Sequence, residues 1–135
     1  MNIGEVSKAV ELPVKTIRYY EDIGLVTPDR LGNGYRFFDD LDVERLKLIG
    51  RARNLGFGVE ACRRLLALYD DSGRASSDVK QLAIEHLVEI DQKIAELESL
   101  RKLLLPMVEA CKGNEDADCA ILDGLVHPHA TEETD

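Results

Sequence analysis

Apolar positions follow two rhythms along the chain. Up to about residue 70 they form short helical runs punctuated by glycine and proline, and beyond residue 76 they recur in one long series. Ile3, Val6 and Val10 share a helical face, and Asn2 ahead of them is a suitable N-cap. Glu11-Leu12 then makes a tight turn. Pro13 suits the first turn of a second helix, where its missing N–H costs nothing. That helix spans residues 14–23 and stops at Gly24, a natural C′ residue. Two short helices with a tight turn between them form the helix-turn-helix pattern. Leu25-Val26 and residues 35–38 read as two short strands. Gly32-Asn33-Gly34 between them supplies the positive φ angles of a hairpin, so the pair predicts a wing. Asp39-Asp40 cap a third helix over residues 41–54, which Gly56 ends. A fourth covers residues 58–69, with Val59, Cys62, Leu65, Leu66 and Tyr69 at helical spacing.

The second rhythm predicts a single long helix. Asp70 to Ala75 is a polar linker, Ser76-Ser77-Asp78 is a cap, and the seam that follows is Ala83, Leu87, Ile90, Ile94, Leu97, Arg101, Leu104, Val108, Cys111. Its steps alternate four and three, the coiled-coil period. From Val79 to Cys111 the helix would span on the order of 48 Å, too long to bury its seam on one small domain. A parallel or antiparallel helix from a second chain is the economical cover. Pro106 should kink or restart the helix near its end. The expected organisation is a DNA-binding domain at 1–70, a linker and dimerisation helix at 71–110, a cysteine-bearing loop and short helix at 111–124, and a flexible tail at 125–135.

Charge changes the picture. The net charge of −9 is unpromising for a nucleic-acid binder, but residues 1–55 carry nine bases and nine acids, whereas the remainder carries eight bases and seventeen acids. The acid sits away from the helix-turn-helix, whose cations need only gather on one face to hold phosphates. No run approaches the roughly 18 apolar residues of a membrane span. Met1 to Glu5 lacks a basic-apolar leader, so a cytoplasmic protein is expected. Three cysteines in a reducing compartment point to metal or thiol chemistry over structural disulfides. No nucleophile–base pair or phosphate-cradling glycine loop stands in the sequence, which points away from an enzyme.

Two constellations carry chemistry. Lys15, Arg18 and Tyr19 share a face of the second helix, where cations and a phenol hold phosphates and reach base edges. Tyr20 has two readings, a second phenol for DNA or a core residue. Arg36, beside the Asn33-Gly34 turn and Tyr35, would let the wing grip the backbone. Arg51 and Arg53 would do likewise from the third helix, or else serve as its solvated end. Cys111 and Cys119 flank a polar, glycine-bearing loop of seven residues, so their thiolates can converge on one soft ion. Nothing nearby supplies the further ligands that Zn²⁺ usually takes. Cys62, at helical spacing among apolar residues, reads as core. His127 and His129 read as part of the polar tail.

Ile17-Arg18-Tyr19-Tyr20-Glu21, Gly24-Leu25-Val26 and Asn33-Gly34-Tyr35-Arg36, with Leu55-Gly56-Phe57 further on, resemble the signature of the MerR family of regulators from Met1 to about Leu122. Within it, the Cys111 and Cys119 spacing followed by Ala120-Ile121-Leu122 is similar to the copper-efflux regulators of the CueR and HmrR type. The resemblance implies a mostly α fold: a winged helix-turn-helix, a long antiparallel coiled-coil dimerisation helix and a C-terminal metal-binding loop. It also implies a homodimer on promoter DNA that represses without metal. With metal it distorts the DNA so that RNA polymerase engages both promoter elements and copper-efflux genes are activated. Divalent-ion members carry a third cysteine near the start of the long helix, at the place of Ser76 here. Two thiolates without that third ligand imply Cu(I), with Ag(I) and Au(I) as mimics. The alternative is a thiol redox sensor in which Cys111 and Cys119 form a disulfide.

Overall fold

The computed structural model describes residues 1–127; His129 and the rest of the expected tail from residue 128 onward lie outside the described residues. The chain divides into two compact units, Met1–His86 and Leu87–Asp135. The first takes in the start of the long helix as well as the expected domain at 1–70.

In the first unit, α1 (Ile3–Val10) opens with a reciprocal cap. The Asn2 side chain accepts the Glu5 N–H, and the Glu5 carboxylate accepts the Asn2 N–H. The turn after it is made by Glu11, held in the left-handed region at φ 57°. Pro13, in extended conformation, is the N-cap of α2 (Val14–Asp22), one position ahead of the first helical turn expected for it. Gly24, at φ 79°, reverses the chain after α2. α3 (Asp40–Asn54) carries a second capping box, built from Asp39 and Asp42, and Gly56 at φ 89° turns the chain into α4 (Val59–Asp70).

The wing differs from the expectation at its first strand. β1 is Asp29–Arg30, paired antiparallel with β2 (Arg36–Phe37), and Leu25-Val26 form no strand. Both residues are buried, at 5% and 2% exposure, so their apolarity reports burial in the core and not a ladder. Gly34 alone takes the positive φ expected of the three turn residues, and the turn is closed by Gly34 N–H on Leu31 O and Leu31 N–H on Tyr35 O. Met1 and Phe38 exchange backbone hydrogen bonds, so the wing's return strand ends against the start of α1.

The core of this unit gathers Val6, Ile17, Tyr20, Leu25, Val26, Phe38, Leu46, Ile49 and Leu66, with Ala52, Phe57 and Cys62 in a second cluster. Fully burying each large aliphatic or aromatic side chain contributes about 1.5–3 kcal/mol. α5 (Ser76–Ala110) begins in this unit and buries Leu82 there. His86 Nε2 donates to Leu55 O at 2.6 Å, and the ring stacks on Phe57 with ring centroids 4.1 Å apart. A Cβ on Gly56 would meet the His86 ring at 3.3 Å, so the bare glycine turn is what lets the imidazole sit down on it.

The second unit holds the rest of α5, a loop, and α6 (Ala120–Val126). α5 does not restart at Pro106. The proline removes one donor, yet the ladder resumes, with Cys111 N–H donating to Met107 O and Val108 O. Along the expected seam, Leu87, Ile94, Leu97, Leu104 and Val108 are exposed at 49% or more.

Candidate DNA interface and thiol pair

The face of α2 follows from its two buried residues. Ile17 and Tyr20 are three apart and point into the core, at 0% and 6% exposure, which turns Lys15, Arg18 and Tyr19 outward. Tyr20 is therefore a core residue, and the reading of it as a DNA-facing phenol is corrected. Its ring centroid lies 5.8 Å from that of Tyr19, at 47°, so it backs the exposed phenol. No ion pair engages Lys15 or Arg18 among the described residues. Arg18 shares an open cleft with Asn2, Asn33, Tyr35 and Arg36, so helix and wing form one continuous surface. Asn33 is spent locally, its side-chain oxygen accepting the Tyr35 N–H at 3.1 Å, and this fixes the turn that projects Tyr35 at 71% exposure.

Arg36 is not a free wing cation. Its Nε donates to Glu21 Oε1, and Arg30 reaches the other carboxylate oxygen at 3.2 Å while also donating to Gly34 O. Arg30 and Arg36 stand directly opposite each other across the hairpin, an arrangement of like charges that is repulsive unless an anion intervenes. Glu21 is that anion, and it ties the wing to the end of α2. Sequence reading missed both Arg30 and Glu21. The signal was present in two arginines equidistant from the Gly-Asn-Gly turn, with a glutamate near the end of the preceding helix. Arg53 is also engaged, donating to Phe57 O at 3.0 Å across the turn after α3, whereas Arg51 is exposed.

The thiol pair lies in the second unit. Cys111 follows the last residue of α5 and Cys119 is the residue before α6, with Gly113 (φ 66°) turning the loop between them. Their sulfurs are 3.9 Å apart and both residues are half-buried. The thiols are free, at about twice the length of a disulfide bond of roughly 2.05 Å. The Leu122 and Ile121 N–H groups at the start of α6 hold the Cys119 pKa below its ordinary 9.0, against the opposing effect of burial, and the Cys111 thiol helps in the same direction. Such a pair suits a soft, thiophilic ion that accepts few ligands. Among the described residues no group of three or more His, Cys, Asp or Glu side chains is placed to hold a metal. Cys62 belongs elsewhere, fully buried with its thiol directed at Phe57 O, 4.0 Å away, and burial pushes its pKa up. Ser76 is the exposed first residue of α5, in the first unit.

Two family models match, one described as the MerR HTH family regulatory protein over residues 1–68 and one as MerR, DNA binding, over residues 43–107. The chain belongs to the MerR family of transcription regulators. It is a DNA-binding regulator and not an enzyme, with the mostly helical MerR fold of helix-turn-helix, small hairpin, long helix and short C-terminal helix. MerR relatives match almost end to end. The chain is 57% identical to the transcriptional regulator HmrR of Rhizobium leguminosarum bv. viciae, covering 93% of this chain and 97% of that one. It is 45% identical to the transcriptional regulator CueR of Salmonella typhi, over 93% and 91% of the two chains. Among solved structures, the regulator PbrR691 of Ralstonia metallidurans CH34 in complex with lead(II) superposes with a TM-score of 0.78 at 31% identity, over 93% of this chain and 98% of that one. Among the described residues no helix is long and apolar enough to cross a membrane.

Proposed function

We propose that this MerR regulator is a homodimeric Cu(I) sensor that represses its promoter without metal and activates copper-efflux genes when Cys111 and Cys119 together take one Cu(I). The observation that carries the reading is the pair of half-buried thiols 3.9 Å apart with no third metal-binding side chain grouped with them among the described residues. Two thiolates leave a monovalent ion with a complete two-ligand set and a divalent ion under-coordinated. Ag(I) and Au(I) share that chemistry. Ser76, a neutral hydroxyl at the start of α5, contributes selectivity by not being a thiolate. Similarity to HmrR and CueR supports the same reading.

Lys15, Arg18 and Tyr19 present the DNA-reading face, Asn33 and Tyr35 shape the wing, Arg36 braces it, and Arg53 braces the turn after α3, both arginines keeping spare N–H groups for phosphates. The exposed apolar row on α5 supports an antiparallel partner helix from a second chain. On the promoter, the metal-loaded dimer bends and underwinds DNA so that RNA polymerase engages both elements. Smooth bending costs on the order of 1–6 kcal/mol. Metal must therefore bind the distorting conformation more tightly by a comparable free energy, at about 1.4 kcal/mol per tenfold in affinity.

The test is an anaerobic titration of the reduced protein with Cu(I) against a competing chelator, beside Zn²⁺. One tightly held Cu(I) per chain, abolished in Cys111→Ser and in Cys119→Ser, with weak Zn²⁺ binding, is the expected result. Zn²⁺ binding as tight as Cu(I) would overturn the selectivity. A second reading, a thiol redox sensor, is favoured by the short sulfur–sulfur distance together with the lowered Cys119 pKa. It predicts oxidant-driven, metal-independent regulation and no competitive Cu(I) binding.

A further inference from the structure

The second unit buries very little. Among its described residues the half-buried ones, apart from Ile90, are Met107, Cys111, Cys119, Ala120, Ile121 and Gly124. The two cysteines and the packing of α6 on the end of α5 are thus one small cluster. At its centre a Cβ built on Gly124 would fall 3.1 Å from both Cε and Sδ of Met107 and 3.3 Å from its Cγ. Three atoms of the methionine, one of them close to its backbone, already occupy the space a side chain would need. Gly124 also sits inside a helix of only 7 residues, where glycine is a poor helix former. Helix propensity gives no reason for it; the close approach does.

Met107 is one turn before Cys111 on α5, and the two are joined by the Cys111 N–H to Met107 O bond of 3.1 Å. Gly124 is just over one turn beyond Cys119, whose sulfur is served by N–H groups of Ile121 and Leu122 at the start of α6. The contact between Met107 and Gly124 therefore fixes the helix that carries Cys119 to the helix that carries Cys111. We propose that Gly124 and Met107 are a positioning pair that sets the distance between the two thiols. The inference rests on Cys111 and Cys119 acting together, and it holds for metal and redox readings alike.

The test is the effective concentration of the two thiols in the full-length protein, from its equilibrium with glutathione. Cys111 and Cys119 each give up a proton and an electron to form their disulfide, and glutathione disulfide is reduced to two thiols. Leucine is a far better helix former than glycine, so a merely local role for Gly124 predicts that Gly124→Leu tightens the pair. The positioning role predicts a loss of tenfold or more, with most of it recovered in Gly124→Leu/Met107→Ala, where the pocket is vacated. Operator binding by the metal-free variants, which needs both the first unit's reading face and the paired α5 helices, controls for folding. An unchanged or raised effective concentration in Gly124→Leu overturns the proposal, as does a double variant no better than the single one. Cu(I) competition on the same proteins separates the two readings. If the thiol equilibrium shifts as stated while the wild-type protein binds no Cu(I), the positioning pair stands and the copper reading falls.

Discussion

Replacing Glu21 by glutamine should weaken the fold and at the same time raise its affinity for DNA of any sequence. Glu21 is 17% exposed and holds Arg36, itself 22% exposed, together with Arg30 at 49%. A partly buried charge-assisted hydrogen bond is worth about 1.5–3 kcal/mol, and an exposed pair such as that with Arg30 contributes roughly 0.5 kcal/mol. The glutamine keeps the shape and one acceptor but leaves two arginines facing each other across the hairpin. A loss of about 2 kcal/mol follows, and for a domain of this size it lowers Tm by roughly 10 °C. The effect on DNA has the opposite sign. Each arginine released from its carboxylate gains a phosphate partner and steepens the plot of log affinity against log salt by about 0.9. Thermal unfolding and fluorescence anisotropy on a non-cognate duplex across a salt series measure the two. A variant that melts like the wild type and keeps its salt slope would refute the role given to Glu21. One that melts lower but shows no gain on non-cognate DNA would leave Glu21 as a stabilising residue and place the arginines away from the phosphates.

Four further expectations can be measured. Cys119 should alkylate first, half-reacting below pH 9.0, whereas Cys62 should react only on unfolding, both read by mass spectrometry of quenched samples. The same lowered Cys119 pKa contributes stability that is fully present above the unfolded value of 9.0 and is lost as pH falls through the folded value. His86→Ala should cost about 2 kcal/mol, roughly half for the hydrogen bond to Leu55 O and half for the stack on Phe57, and His86→Phe should recover the second half in a denaturant melt. Ser76→Cys should extend the response to Zn²⁺ or Hg²⁺, and an unchanged metal profile in a promoter-reporter assay would sink this account of selectivity.

The helices were legible because their signals are local. Apolar spacing places α1 to α5, Asn2 and Asp39 mark two starts, and Gly24 and Gly56 take the left-handed turns that end two helices. The same locality misled at Leu25-Val26, whose apolar character belongs to the core of the first unit, and at Pro106, where one missing donor did not end the helix. The thiol pair was readable from its spacing, since a short loop brings its own ends together. The Glu21 clamp left only the symmetric placing of two arginines about the turn, because they lie 9 and 15 residues from Glu21 and meet it only once the wing folds back on α2. Tyr20 belongs to the same class, for its neighbour Tyr19 faces outward and only the completed core decides where its own ring goes.

Burial of Cys62 gives the protein a ceiling on the signal it can tolerate. In the folded chain its sulfur is fully covered and its proton held on, so a soft metal finds only the thiols near the end of α5. Unfolding hands the ion a third sulfur, and a ligand that binds the unfolded chain better than the folded one pulls the equilibrium toward unfolding. The ion that loads the thiol pair at low dose would favour the unfolded chain at high dose wherever the third sulfur outweighs the loss of the paired arrangement. How wide that operating range is depends on how firmly Phe57 and Ala52 keep a single thiol out of reach.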